Sequence, residues 1–359
     1  MMTPGDPARE PGRYRLFGSV GSPYALKLRA ILRYQRLPFD WVPASLDWVP
    51  QGLPKPPRSE TARRLIADVR PPVIPVVYFP TDRSFHNDST LVAYELDRES
   101  KDRSIMPPDP GLGFLSHLVE DMADEWGVKI AFHYRWACEP DRTFKSRVVT
   151  GELLGGGFDG ATQVSAARHF ADRQVGRMPL VGCTPENAPL IEATFRRILA
   201  AMDGLVEEST FMFGPRPVLG DFGWYGQLMS LATDPTPWSV MRNLAPGIFP
   251  YLQSLDDASG VDEAWPPSSG TLPRSTAELL KLAGEVYLPF LQANAAALEA
   301  GRRSFAFSAL GMRFAQDTFK YQVKCLQWLR QEFHSLPGEP RDHATALLKD
   351  TGCLAVLDP

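Results

Sequence analysis

The chain of 359 residues has few of the features that mark secreted, membrane-spanning or nucleic-acid-binding proteins. Its first residues, MMTPGDPAREPGRYR, hold no apolar signal core, and no apolar run approaches the roughly 20 residues that span a bilayer. Lysine and arginine number 38 against 42 aspartates and glutamates, so the net charge is -4 and no basic surplus is available for nucleic acid. We therefore expect a soluble, cytoplasmic protein with neither a nucleic-acid nor a membrane partner.

Cysteine is scarce as well, with four residues in the whole chain. They form no CxxC pair, and none stands near a histidine at the spacing of a metal site. Scattered cysteines in a chain of this size are typical of reduced, intracellular thiols. We expect no metal cofactor and no structural disulfide.

Proline is abundant, with 34 residues, and it falls between the predicted elements, so it locates their boundaries. Apolar runs and helical periods predict the order β-α-β-α-β-β-α over residues 14–100 and helices after a linker at 106–113. The pattern predicts an α/β domain followed by an all-α bundle. In chain order the predicted parts are a disordered tail at 1–13, the α/β domain at 14–105, the all-helical domain at 113–261, a helical extension at 276–335 and a C-terminal tail at 336–359.

The extension carries apolar residues such as Leu279, Val286 and Phe290 at near-helical spacing. Such faces need a partner surface, and about 60 residues make a marginal core on their own. The linker at 262–275 is also too short to carry a remote domain comfortably. We therefore expect the extension to pack on the helical domain, near or over its cleft.

Three short segments raise the question of function: GSPYALKLR at 21–29, VIPVV at 73–77 and NDS at 87–89. A serine directly before a proline is a favoured helix start, so Ser22 either only caps a helix or also holds a reactive group there. Pro75 interrupts an apolar strand, which indicates a cis peptide, a bulge or an edge strand. The NDS segment opens a helix whose free N–H groups can be capped or can hold a carboxylate.

These segments in this order, with FMFGPRPVLGDFGWYGQL at 211–228, resemble the glutathione transferase superfamily. The resemblance covers roughly residues 14–100 and 113–235. It implies a thioredoxin-like domain that binds glutathione as co-substrate, an all-α domain and a possible homodimer. The implied activity is attack of the glutathione thiolate on a small electrophile. The alternative is a transferase fold retained as a non-catalytic binding or scaffold protein, because fold does not guarantee chemistry.

The resemblance also implies a catalytic residue. In this family a Ser, Cys or Tyr side chain stabilises the thiolate, and Ser22 stands at the matching helix start, with Ser19 as its rival. A helix N-terminus carries a partial positive charge, which lowers the pKa of a thiol placed there. The absence of cysteine at both positions disfavours the thiol–disulfide exchange of Cys-type relatives.

Binding residues are implied in the same way. In the family the backbone before a cis proline pairs with the cysteinyl amide of glutathione, which assigns that contact to Ile74 and Pro75. The γ-glutamyl end lies at a helix start, which assigns it to Asp88 and Ser89. An ordinary helix cap at these two residues is compatible with that contact.

Other polar residues favour structural roles. The acidic segment EDMADEW at 120–126 is interpreted as a solvated face, with a metal site at His117, Asp121 and Asp124 as the alternative. Asp221 matches a buried folding cap of the family. Trp126 lies on an apolar helical face, and we interpret it as a core residue.

Overall fold

The computed structural model describes residues 12–44, 62–100, 102–155, 159–265 and 271–358. Most of the predicted N-terminal tail and the proline-rich loop at 49–57 lie outside these residues. Arg13, the last residue of the predicted tail, forms an ion pair with Asp40 at 2.8 Å between Nη2 and Oδ1.

The N-terminal part is built on a four-stranded sheet with the strand order β2-β1-β3-β4. Strands β1 and β2 are parallel, and β3 is antiparallel to both β1 and β4. One helix connects β1 to β2 and another follows β4, which is the thioredoxin-like arrangement. The elements are β1 (Tyr14–Gly18), α1 (Pro23–Tyr34), β2 (Phe39–Pro43), β3 (Val76–Phe79), β4 (Ser84–Asn87) and α2 (Ser89–Glu99).

A helical bundle follows this sheet, so the predicted fold class is confirmed. Its first long helix passes through a π-helical turn at Ala123–Gly127. No helix among the described residues is long and apolar enough to cross a membrane. The helices are α3 (Pro110–Met122), α4 (Val128–Ala137), α5 (Glu139–Leu154), α6 (Gly160–Arg177), α7 (Ala188–Asp203), α8 (Leu205–Glu208), α9 (Leu219–Ala232), α10 (Pro235–Leu244) and α11 (Ile248–Asp256), with a 3-10 turn at Met178–Val181.

The C-terminal region differs from the purely helical extension that the periodicity predicts, because it also contains a β-hairpin. The two hairpin strands are antiparallel and meet at Leu310 and Gly311, which both have positive φ angles, 52° and 74°. The segment 336–359, predicted as a tail, contains two further helices. The elements are α12 (Arg274–Leu282), a π-helical turn at Ala283–Tyr287, α13 (Leu288–Glu299), β5 (Ser304–Ala309), β6 (Met312–Asp317), α14 (Lys320–Ser335), α15 (Gly338–Leu348) and α16 (Leu354–Leu357).

The extension packs directly on the helical bundle. Helix α12 lies against α7, and α15 lies against α3. At the start of α12, the backbone N–H of Ser275 donates to Glu208 Oε2 at 3.1 Å, and the hydroxyl of Thr276 donates to the carbonyl of Met212 at 2.5 Å. Phe290 of α13 is fully buried, with its ring 5.3 Å from that of Trp126.

We predict that a chain truncated after residue 261 is insoluble or strongly destabilised. The cut removes Phe290 and Phe333 of the extension and so uncovers the bundle side chains that they contact, Trp126 and Phe114, which are fully buried in the full chain. Each buried side chain of this size contributes about 1.5–3 kcal/mol. Thermal unfolding and size-exclusion chromatography of chains 1–261 and 1–359 provide the comparison. A truncated chain that stays monodisperse and equally heat-resistant would contradict the prediction.

Candidate functional site

The sheet topology brings the three predicted binding segments to one edge. Val76, at the start of β3, pairs with Phe17 near the end of β1 and with Asn87 at the end of β4. The loop after β1 therefore lies beside the segment before β3 and the segment after β4. Ser22, Ile74 and Asp88 follow or precede these strand ends by a few residues, so all three lie at this edge.

Ser22 is the N-cap of α1 and is half-buried. Its Oγ accepts a hydrogen bond from the backbone N–H of Ala25 at 3.3 Å. Within the described residues the hydroxyl donates to no acceptor, so its hydrogen remains available. Since the first N–H groups of a helix carry a partial positive charge, an anion beside Ser22 would be stabilised by both the helix end and the hydroxyl.

Ser19 is arranged differently. Its side chain is buried, and its hydroxyl donates to Glu152 Oε2 of α5 at 2.7 Å. Its Oγ also accepts from the N–H of Gly21 at 3.1 Å. These bonds fix the loop between β1 and α1, and they leave Ser19 a poorer donor to a ligand than Ser22.

Glu152 was not predicted from the sequence, because it lies 133 positions after Ser19 on a helix with no recognisable motif. Its carboxylate also accepts from the N–H of Val20 at 2.9 Å and from Trp41 Nε1 at 3.3 Å. Burial raises the pKa of Glu152, and the hydrogen bonds from these partners act in the opposite direction. The carboxylate thus connects the bundle to the loop that carries Ser22.

The peptide bond between Ile74 and Pro75 is cis, as the sequence predicts. Pro75 is buried and Ile74 is half-buried. The amide and carbonyl of Ile74 make no hydrogen bond to another described residue. The Ile74 backbone can therefore pair with an extended peptide ligand.

Asp88 caps α2 from a left-handed backbone conformation with φ 73°. Its Oδ1 accepts from the N–H groups of Thr90 at 3.2 Å and Leu91 at 3.5 Å, while its Oδ2 accepts from the hydroxyl of Tyr321 at 3.0 Å. Ser89 is buried, and its hydroxyl donates to Asp124 Oδ2 at 3.2 Å. The cap predicted at this helix start is present, but the Ser89 hydroxyl is directed into the protein.

The interpretation of the acidic segment as a solvated face is wrong, because most of it is buried beneath α1, α2 and the extension. Lys27 of α1 is completely buried, and its Nζ contacts Glu120 and lies 2.8 Å from Asp124 Oδ2. The described residues contain no group of His, Cys, Asp and Glu side chains that could hold a metal ion. We define the buried charge cluster as Lys27, His117, Glu120, Asp121 and Asp124.

The extension supplies further partners of this cluster. The hydroxyl of Tyr287 donates to Asp121 Oδ2 at 2.5 Å, and Glu332 of α14 hydrogen-bonds the ring of His117. Burial lowers the pKa of His117, but Glu332 and the neighbouring carboxylates outweigh it and raise the value to about 9. Burial raises the pKa of Asp121 to about 7, although the charge of His117 opposes it.

Trp126 is a core residue, as the sequence indicates, and it is fully buried. Its ring lies 5.3 Å from those of Phe290 and Phe314 and 6.1 Å from that of Phe307, all three in the extension. The Nζ of Lys129 lies 4.6 Å above the Phe290 ring. This face of α4 and its π-helical turn is therefore filled by aromatic side chains.

Asp221 has the structural role that the sequence predicts. Its carboxylate accepts from the N–H groups of Met212 and Val218, each at 2.9 Å, and from the hydroxyl of Tyr251 at 2.7 Å. Burial raises the pKa of Asp221 to about 6, and the two backbone bonds oppose that rise. The carboxylate thus ties the loop before α9 to the first turn of that helix.

Comparison with known proteins returns no matching family model and no matching curated protein. Solved structures similar to the chain include a glutathione S-transferase from Methylobacterium radiotolerans in complex with glutathione sulfonate, at 19% identity, covering 72% of this chain and 99% of that one, with TM-score 0.40. Glutathione transferase GSTFuA3 from Phanerochaete chrysosporium matches at 15% identity, 72% and 100% coverage and TM-score 0.45. FzlA from C. crescentus matches at 13% identity, 71% and 94% coverage and TM-score 0.41. The fold assignment rests on the strand order and connections of the chain itself.

We predict that the free energy of unfolding falls as pH rises from 5 to 9. The pKa of Asp121 is about 7 in the folded chain and 3.8 in the unfolded chain. The pKa of His117 is about 9 in the folded chain and 6.5 in the unfolded chain. In both ranges the folded state binds more protons, so raising the pH favours unfolding, by about 3 kcal/mol in each range. Urea unfolding at pH 5, 7 and 9 measures the change.

Asp121→Asn should reduce the slope of the free energy of unfolding below pH 7, where the raised pKa values of Asp124 and Asp221 also contribute, and His117→Gln should reduce the slope above pH 7. His334→Gln is the matched control, because His334 is an exposed histidine on the same extension that also pairs with a carboxylate, Asp358. A His117→Gln curve with the wild-type slope between pH 7 and 9 would show that this histidine does not carry the linkage.

Proposed function

We propose that the chain is a glutathione-transferase-like enzyme that activates the glutathione thiolate for attack on a small electrophile. The observation that carries the proposal is the geometry of Ser22, whose Oγ accepts from Ala25 while its own hydrogen meets no acceptor among the described residues. A thiolate beside this hydroxyl would receive its hydrogen bond and lie at the positive end of α1. Ser22 is the proposed catalytic residue, and glutathione is the co-substrate.

The energy needed is within reach of these two groups. Lowering a thiol pKa by two units corresponds to about 2.7 kcal/mol of preferential stabilisation of the thiolate. A hydrogen bond to a charged acceptor and a helix N-terminus each supply about 1 kcal/mol or more. Neither group has to move far, because Ser22 is held in the cap and the preceding loop is fixed by Ser19 and Glu152.

The remaining contacts follow from the order of segments along the edge. In the proposal the free amide and carbonyl of Ile74, held by the Pro75 turn, pair with the cysteinyl backbone of glutathione. The γ-glutamyl end then reaches the start of α2 at Asp88 and Ser89. We also propose the domain limits 14–105 and 113–261, a homodimer and a cytoplasmic location.

One observation favours the second candidate, a non-catalytic binding or scaffold protein. In the glutathione transferases the helix that matches α4 lines the pocket for the second substrate, and here that face is covered by Phe290, Phe307 and Phe314. An electrophile would then have to bind closer to the loop between β1 and α1. Retention on immobilised glutathione without turnover of any member of a panel of electrophiles would favour this candidate.

We predict that Ser22→Ala lowers turnover about 10- to 100-fold, because it removes one hydrogen bond to a charged sulfur. The dissociation constant for glutathione should change less than about twofold, since the hydroxyl acts on the thiolate and not on the peptide backbone. Thiolate absorbance in the ultraviolet across pH should show the pKa of bound glutathione rising in the variant.

Ser19→Ala is the matched control and should lower turnover less, because the Ser19 hydroxyl already donates to Glu152. If Ser19→Ala abolished turnover and Ser22→Ala were silent, the catalytic serine would be Ser19. If the wild-type chain bound no glutathione, the enzyme proposal would fail altogether.

A further inference from the structure

Tyr321 of the extension reaches the edge at which glutathione is proposed to bind. It is the second residue of α14, and its hydroxyl donates to Asp88 Oδ2 at 3.0 Å across a sequence separation of 233 residues. The residue is 39% exposed, and its hydrogen bond to Asp88 lies at the protein surface. Burial of the hydroxyl end and the charge of Asp88 raise the pKa of Tyr321, so it stays protonated and remains a donor.

Few donors are left for an anion at the start of α2. The N–H groups of Thr90 and Leu91 already donate to Asp88 Oδ1, and the hydroxyl of Ser89 already donates to Asp124. The backbone N–H of Ser89 makes no hydrogen bond to another described residue. A carboxylate bound there would need a second donor, because a carboxylate accepts several hydrogen bonds.

The γ-glutamyl end of glutathione is a free α-amino acid, with one carboxylate and one ammonium group. Its carboxylate needs donors and its ammonium needs a charged acceptor. The Tyr321 hydroxyl and Asp88 Oδ2 offer one of each, and in the structure they are paired with each other. When the ligand binds, the bond between Tyr321 and Asp88 is replaced by one bond from the Tyr321 hydroxyl to the ligand carboxylate and one from the ligand ammonium to Asp88. The hydroxyl, the aspartate, the carboxylate and the ammonium then each have a partner.

We propose, on the basis of the proposed function, that Tyr321 is a specificity-determining residue that recognises the α-carboxylate of the γ-glutamyl end. The hydroxyl turns from Asp88 Oδ2 to the ligand carboxylate, and the ligand ammonium takes its place on Asp88. No proton is transferred in this exchange. The site then selects thiol peptides with a complete α-amino-acid end over those that lack the carboxylate.

The loss of this hydroxyl should not unfold the extension, because other contacts hold α14 in place. Gln322 Nε2 donates to Glu125 Oε2 at 3.1 Å, and Glu332 bonds His117. Trp328 also packs at 5.0 Å between ring centroids on His117. Tyr321→Phe therefore tests recognition with little effect on the fold.

The test measures dissociation constants by calorimetry for the full chain and for Tyr321→Phe. The two ligands are glutathione and 4-aminobutyryl-cysteinyl-glycine, which lacks only the α-carboxylate. We expect Tyr321→Phe to lower the preference for glutathione over the analogue about tenfold, because only glutathione gives the hydroxyl a charged acceptor in place of Asp88. Phe319→Leu, at an exposed neighbour without a hydroxyl, is the matched control and should change neither constant.

An unchanged ratio of the two dissociation constants would overturn the inference, since the hydroxyl would then not distinguish a ligand with the carboxylate from one without it. Equal tightening of both ligands in Tyr321→Phe would overturn it as well, and would make Tyr321 a competitor of the ligand for Asp88. These results leave the Ser22 proposal standing if Ser22→Ala still lowers turnover. Absence of glutathione binding by the wild-type chain would overturn both proposals together.

Discussion

The buried ammonium of Lys27 is the interaction on which much of the remaining structure depends. It belongs to the same helix that Ser22 caps, and its partners Glu120 and Asp124 belong to the helical bundle. A buried charge that loses its partner costs roughly 3–5 kcal/mol, so the α/β part and the bundle are bound to one relative position. Ser89 joins the same network, and the proposed ends of the glutathione site are therefore fixed to a common core.

The parts of the fold that could be predicted are those that local chemistry determines. Ser22 and Pro23 start a helix by themselves, and the cap at Asp88 needs only the next three residues. The hairpin in the extension was missed because its short alternation lies between two strongly helical periods, and the turn places Leu310 at a positive φ that its residue type does not suggest.

The candidate site was predictable only in part, for a related reason. Serine, proline and aspartate at short spacings identified the edge, but their partners come from distant sequence. Glu152 reaches Ser19 across 133 positions, and Tyr321 reaches Asp88 across 233. A carboxylate-rich segment is interpreted as solvated until Lys27 of α1 and Tyr287 of the extension are placed beside it, because charged residues are seldom buried without partners.

The π-helical turn at Ala123–Gly127 has a geometric consequence for both halves of the molecule. Such a turn accommodates one residue more than a regular α-helix, and each residue rotates a helix by about 100°. The turn therefore changes the direction in which the side chains after it face. Glu120 before the turn faces α1, while Lys129 after it faces the aromatic rings of the extension. Deleting one residue here would restore a regular helix and turn every later side chain of α4 away from its present neighbours, so the contacts of α4 depend on this one insertion.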